Sequence, residues 1–239
     1  MLTSERPVFG LYRLLWSGLD YIYPPACGGC GKRGKRWCDD CNDASKRITP
    51  PMCIRCGRPL SNSAEICDRC KTDPPAFIAL RSWAIYCGSI RRAIHQLKYR
   101  RDIALGEVLA KGLIDILDST MWDIDIVAPI PLGKKRHKER GYNQAALLAF
   151  PLAIAKGLPY KNNALQRVQE TTSQVHLSRE ERARNVKNAF RADSKIVAGH
   201  NIIIVDDVTT TGATMQACAL ALIDAGANCV YGLTLARAG

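Results

Sequence analysis

Ile202 to Thr214 read IIIVDDVTTTGAT. The apolar run Ile202 to Val205 fits a strand buried on both faces, as in a parallel sheet. Asp206 and Asp207 follow at once, then Thr209, Thr210, Thr211, Gly212, Ala213 and Thr214. From Thr214 the residues TMQACALALIDAGA carry helical periodicity that stops at Gly226. A strand, a glycine-bearing turn and a helix start together present several backbone N–H groups to an anion. Gly212 lets the backbone approach closely, and Thr210, Thr211 and Thr214 add hydroxyl donors. The P-loop lysine is missing, which excludes a Walker ATP site. Asp206 and Asp207 cannot bind phosphate directly, but they accept hydrogen bonds from sugar hydroxyls or hold Mg²⁺ through water. A phosphate at one end and a diol at the other describe a phosphorylated ribose. Asp and Thr are also ordinary residues of βα turns and N-caps, so the reading rests on the whole string.

Upstream, the chain alternates strands and helices. LRSWAIYC (Leu80–Cys87) reads as a strand, SIRRAIHQLKY (Ser89–Tyr99) as a helix with Ile90, Ala93, Ile94 and Leu97 on one face, and IALGEVLAKGLIDIL (Ile103–Leu117) as a second helix. IDIVAPIP (Ile124–Pro131) is a strand running into a Pro-rich turn and then the basic loop KKRHKERG. NQAALLAFPLAIAKG (Asn143–Gly157) is helical, with Pro151 expected to kink or split it. HNIIIVDD precedes the helix from Thr214, and CVYGLTLAR (Cys229–Arg237) is a last strand. This order predicts an α/β fold with a mostly parallel sheet flanked by helices. In such folds ligands bind at the carboxyl ends of the strands. Both the KKRHKERG stretch and the Asp-Thr stretch fall there.

The chain has 239 residues, 47% of them hydrophobic, enough for one core and a small accessory unit. Its 34 Lys and Arg against 22 Asp and Glu give a formal charge of +12, which favours polyanionic partners such as nucleic acid or phosphorylated small molecules. Lys134 to Arg140 hold five cations in seven residues, and Arg179, Arg182, Arg184 and Lys187 form a second cluster. No run of about 18 apolar residues exists, so no integral membrane contact is expected. Val8 to Pro25 is apolar but interrupted by Arg13 and Asp20, with no A-x-A pattern after it. It reads as an amphipathic helix rather than a signal peptide, and a cytoplasmic location is expected.

Eight of the 11 cysteines form four C-x-x-C pairs: Cys27/Cys30, Cys38/Cys41, Cys53/Cys56 and Cys67/Cys70. That spacing lets both thiolates of a pair reach one tetrahedral ion, and eight thiolates suit about two structural zinc ions. Gly31 and Gly57 supply the permissive backbone such a knuckle needs. A redox C-x-x-C normally occurs once, and secreted disulfides lack an export signal here. Sequential sharing and an interleaved, cross-braced arrangement use the same eight residues, and spacing does not choose between them. So short a segment draws much of its folding energy from metal. Cys87, Cys218 and Cys229 read as small buried hydrophobes. Pro50, Pro51, Pro74 and Pro75 bracket the second half of this segment. The expected division is therefore 1–24 amphipathic helix, 25–75 zinc-binding segment and 76–239 α/β domain.

IIIVDDVTTTGAT resembles the signature of type I phosphoribosyltransferases, which bind phosphoribosyl pyrophosphate (PRPP). With ERGYNQA (Glu139–Ala145), QETTSQVHLSREERARNVKNAF (Gln169–Phe190) and the four C-x-x-C pairs, the chain resembles the ComF family from about Pro24 onward. Tyr142 stands where the family more often has Phe. The resemblance implies a double zinc ribbon before a type I phosphoribosyltransferase-like domain. It implies that Asp206 and Asp207 hold the ribose hydroxyls with Mg²⁺ close by, and that Thr209 to Thr214 cradle the 5′-phosphate. Arg140 and Gly141, with Lys134, Lys135 or Arg136, correspond to a pyrophosphate loop. Thr172, Gln174, Arg182 and Asn185 lie where such enzymes place a hood, although Arg182 and Asn185 are also spaced to brace a helix. The implied catalytic set is Asp206, Asp207 and Arg140. Thr210 replaces the acidic base of some 6-oxopurine enzymes, so no acceptor is named. The family association is with competence and DNA uptake. The alternative is a non-catalytic PRPP- or nucleotide-sensing module that binds single-stranded DNA or a competence helicase-like motor protein, zinc knuckles being known nucleic-acid modules.

Overall fold

The computed structural model describes residues 24–61, 64–100, 102–168 and 189–238. The expected N-terminal amphipathic helix and the hood residues Thr172, Gln174, Arg182 and Asn185 lie outside them. Two short helices, α1 (Asp39–Asp43) and α2 (Asp68–Thr72), belong to the cysteine-rich segment. The α/β part then runs β1 (Ala79–Ile85), α3 (Gly88–Tyr99), α4 (Ile103–Asp118), β2 (Ile126–Pro129), α5 (Lys134–Arg140) and α6 (Gln144–Lys156). It continues with β3 (Leu165–Arg167), β4 (Phe190–Ala192), α7 (Ser194–Val197), β5 (Asn201–Thr209), α8 (Ala213–Asp224) and β6 (Cys229–Arg237).

The main sheet has the order β1-β6-β5-β2, all neighbours parallel. β3 and β4 form a separate antiparallel pair. β5 is an inner strand, and its side chains alternate between two cores. Ile203 and Val205 join Ile94, Leu97, Leu105 and Leu148 from α3, α4 and α6. Ile202 and Ile204 join Met215, Cys218 and Leu222 of α8 with Phe190 of β4. Each fully buried isoleucine contributes roughly 1.5–3 kcal/mol. The apolar run at the start of β5 thus has one cause: both faces of the strand are covered.

Three expectations shift. β5 continues through the polar residues to Thr209, because its pairing with β6 extends to Thr209 and Arg237. The KKRHKER stretch is a helix, α5, rather than a loop: Gly133 precedes it and the left-handed Gly141 (φ 81°) ends it. Lys, Arg and Glu are good helix formers, and no residue of α5 is buried. Finally, α6 runs unbroken through Pro151. The Leu147 carbonyl, which Pro151 cannot serve as donor, lies against Gly106 of α4, where a Cβ would stand 2.9 Å from it. Cys218 is buried as expected, whereas Cys87 and Cys229 are half-buried.

Both sheet edges are covered. Lys161 N–H donates to Val127 O (3.0 Å) and Val127 N–H to Pro159 O (3.0 Å) along β2. On β1, Ile85 N–H donates to Lys46 O (2.8 Å) and Ile48 N–H to Trp83 O (3.1 Å). The cysteine-rich segment therefore closes an edge that would otherwise offer open backbone groups.

Candidate functional site

Side chains alternate along a strand, so Asp206 and Asp207 point to opposite faces of the sheet. Asp207 is buried and faces α3, where Lys98 Nζ lies 2.5 Å from its Oδ2. Asp206 instead lines a cavity of about 110 Å³ with Val208, Thr209 to Met215 and Thr234. Its Oδ1 accepts from the Asp207 N–H at 2.9 Å. Burial, and then the charge of Asp207, push the Asp206 carboxyl well above the ordinary aspartate range, against a weaker pull from Lys98.

Around this carboxyl the turn is built to stay open. Gly212 is the N-cap of α8 in the left-handed conformation (φ 81°) and brings no side chain to the helix start; Thr211 Oγ1 accepts from the Ala213 N–H at 3.3 Å. A bulkier residue would be strained there. N–H groups of the first helical turn have no intrahelical acceptor, and the positive end of the α8 dipole points the same way. Thr210, Thr211, Ala213 and Thr214 are exposed, whereas Thr209 is buried. Anion donors and one carboxylate therefore line the same cavity.

Arg140 ends α5. It donates to Gln144 Oε1 (2.8 Å), and its guanidinium lies 5.0 Å from the centre of the Tyr99 ring. Gly141 turns the chain, and Asn143 then does two things. Its Oδ1 caps α6 by accepting from Ala145 N–H (3.1 Å), and its Nδ2 donates to Ile130 O (2.9 Å). Tyr142 donates to Leu97 O at 2.5 Å. The Arg-Gly-Tyr-Asn run thus locks α5 and α6 to the end of β2 and to α3. Lys134, Lys135 and Arg136 are exposed on α5.

Sequence reasoning missed Lys98 and Tyr99. Together they connect the Asp207 side of the sheet end to Arg140. A lysine in the last turn of a helix reads as a complement to the helix dipole, so no local signal marks it.

The eight cysteines form two separate groups, Cys27/Cys30/Cys38/Cys41 and Cys53/Cys56/Cys67/Cys70, with all four sulfurs of each within 4.8 Å of one another. The pairing is sequential. Four thiolates on one tetrahedral zinc stand about 3.8 Å apart for a Zn–S bond of about 2.3 Å. Cys30 and Cys38 Sγ are 3.7 Å apart, and so are Cys56 and Cys67 Sγ. The spacing fits zinc and is far too long for a disulfide. Burial raises the Cys27 thiol, but the N–H groups of Cys38, Cys30 and Gly29 outweigh it and hold the thiol at about 6. Cys53 is held at about 6 in the same way by Cys67, Cys56 and Arg55. Burial instead pushes up Cys41 in the first group and Cys56 and Cys70 in the second, so each group offers one ready thiolate to a metal ion, whose binding would deprotonate the rest.

Residues 18–71 match the double zinc ribbon domain, and residues 105–239 match the phosphoribosyl transferase domain. Competence protein F of Haemophilus influenzae is 30% identical over 219 residues, covering 89% of this chain and 90% of that protein. Competence protein ComFC of Bacillus subtilis is 31% identical over 216 residues, covering 86% of each. The chain belongs to the ComF family. Within it, the DNA utilization protein YhgH of Salmonella typhimurium is 37% identical over 191 residues, covering 78% of this chain and 84% of that protein. Among solved structures, the B. subtilis glutamine PRPP amidotransferase complexed with ADP and GMP is similar at 22% identity, with a TM-score of 0.38, over 58% of this chain and 26% of that one. By its two domain matches and its cysteine groups, the ComF chain combines a double zinc ribbon with a phosphoribosyltransferase-type domain. Among the described residues no helix is long and apolar enough to cross a membrane.

Proposed function

We propose that this ComF chain binds PRPP, with Mg²⁺, at the end of β5 and acts as a phosphoribosyltransferase-type protein. One observation carries the reading: Asp206 and the open N-terminus of α8 line the same cavity. In this reading the turn from Thr209 to Thr214 holds the 5′-phosphate through backbone N–H and threonine hydroxyl groups. Asp206 accepts hydrogen bonds from the ribose hydroxyls. Asp207, on the opposite face and paired with Lys98, holds the strand end in place behind the site. Lys134, Lys135, Arg136, Arg140 and Gly141 receive the pyrophosphate. Asp206 and Asp207 would hold Mg²⁺ through water, and the ion would supply positive charge for the leaving pyrophosphate. The chain's own part is positioning and electrostatics.

The relatives' names tie the protein to competence and DNA use, and the formal charge of +12 provides attraction for a single-stranded nucleic acid. Incubation with PRPP, Mg²⁺ and a panel of nucleobases, with pyrophosphate release as readout, tests turnover. Release that depends on one acceptor is the expected result. Saturable PRPP binding without release for any acceptor would leave a binding module. Absence of PRPP binding would overturn the reading altogether.

A further inference from the structure

The second cysteine knuckle touches the phosphate turn directly. Arg69, beside the ligand Cys70, donates from Nη1 to the Thr211 carbonyl at 2.5 Å, across 142 residues of sequence. One further bond ties the knuckle to the strand end beside the turn, and another ties the chain just after the knuckle to α8. Arg237, at the end of β6 opposite Thr209, donates to Cys56 O, and Ala76 N–H donates to Gln216 Oε1 of α8 at 2.8 Å. The knuckle is also seated on β1, where Leu80 N–H donates to Arg55 O at 2.7 Å. Its position is therefore set by the sheet, and Arg69 transmits it to the turn.

The peptide plane gives this contact a direction. In a trans peptide the carbonyl and the following N–H point opposite ways. Thr211 and Gly212 separate two cavities, one lined by Arg69, Cys56 and Arg237, the other by Asp206 and Thr214. With the Thr211 carbonyl held toward Arg69, the Gly212 N–H faces the Asp206 side. At a glycine with φ 81° the backbone has little intrinsic preference, so contacts made at Thr211 fix this orientation: Arg69 at its carbonyl, and the Ala213 N–H at its hydroxyl (3.3 Å).

We propose that Arg69 is a positioning residue for the phosphate turn, orienting the Gly212 N–H toward the ligand. This rests on the PRPP reading above. The contact acts on the phosphate end and not on the pyrophosphate end at α5, and the test uses that difference. Calorimetric titrations of PRPP, ribose 5-phosphate and inorganic pyrophosphate are compared for wild type, Arg69→Ala and Arg69→Lys. Arg69→Ala weakens ribose 5-phosphate and PRPP about tenfold, as expected for a lost charge-assisted bond that left a donor free to turn away. Pyrophosphate affinity and melting temperature stay unchanged, and Arg69→Lys recovers part of the loss. If wild type binds all three ligands and Arg69→Ala binds ribose 5-phosphate equally well, this proposal alone falls. An equal loss of pyrophosphate affinity, or a lowered melting temperature, also overturns it by showing general damage. A wild type that binds none of the three overturns the PRPP reading and this proposal together.

Discussion

The two cysteine knuckles have the same ligand chemistry and different neighbours. Each places its second C-x-x-C pair at the start of a short helix, α1 or α2, and each holds one thiol at about 6 through backbone N–H groups. The first knuckle docks on α3 and α4. Arg36 pairs with Asp102 at 3.0 Å, the Cys41 carbonyl accepts from Ser45 and Ser89, and Gly28 lies against Leu105. The second docks on β1, the end of β6 and the phosphate turn. A metal knuckle is thus a generic rigid unit, and its docking surface decides what it supports. The first braces the helical layer, and the second braces the turn proposed to hold phosphate.

The strongest test of that contrast removes one ligand from each. Cys27→Ser and Cys53→Ser should each lower metal content from about two zinc per chain to about one. Each should cost several kcal/mol of stability, since zinc supplies much of a knuckle's folding energy. Only Cys53→Ser should also weaken PRPP binding in protein that remains folded. Equal effects of the two on PRPP affinity would erase the distinction.

A milder pair compares the glycines that follow Cys30 and Cys56. Both have positive φ, 81° at Gly31 and 69° at Gly57. A Cβ at Gly31 meets nothing within 4 Å, whereas at Gly57 it would lie 2.3 Å from the Leu80 carbonyl. Gly31→Ala should cost about 1 kcal/mol for conformation alone. Gly57→Ala should cost roughly 2–4 kcal/mol, because strain and a backbone clash add. Denaturant melts measure both, and similar costs would mean the second knuckle is not seated on β1 as described.

The smallest effect concerns the two aspartates, which differ as the knuckles do. Asp207 has Lys98, while Asp206 faces the cavity and holds its proton to higher pH in the folded chain than in the unfolded one. The native state then binds more protons, so stability falls as pH rises from the ordinary aspartate range toward the raised Asp206 value. Asp206→Asn removes that fall. The ligand-free variant should melt above wild type at neutral pH, with the gain vanishing below about pH 4. A gain that persists in acid would point to another cause.

Much of this arrangement was legible in the chain itself. The Ile202–Val205 run marked a doubly covered strand, the four C-x-x-C pairs marked two tetrathiolate sites, and the Asp-Thr-Gly string marked the turn. What escaped was set by tertiary contact. Spacing cannot say which pairs share an ion, because that depends on the chain's path between Cys41 and Cys53. Polar composition suggested that the strand ends at Asp207, but pairing with β6 carries it to Thr209. The density of charge in KKRHKER suggested a loop, although its residues favour a helix when nothing needs burying. The Lys98–Asp207 and Arg69–Thr211 contacts join positions far apart in the chain, and no local period encodes them.

The central claim is that PRPP sits where Asp206 meets the open end of α8. Isothermal calorimetry of PRPP with Mg²⁺ on wild type, Asp206→Asn and Asp207→Asn addresses it most directly. Wild type should saturate at about one PRPP per chain, and Asp206→Asn should bind at least about tenfold more weakly, because PRPP with Mg²⁺ draws Asp206 into its charged form and an amide cannot replace that acceptor. Asp207→Asn should weaken binding as well, by loosening the Lys98 pair behind the site. Equal affinities for all three proteins would contradict the account.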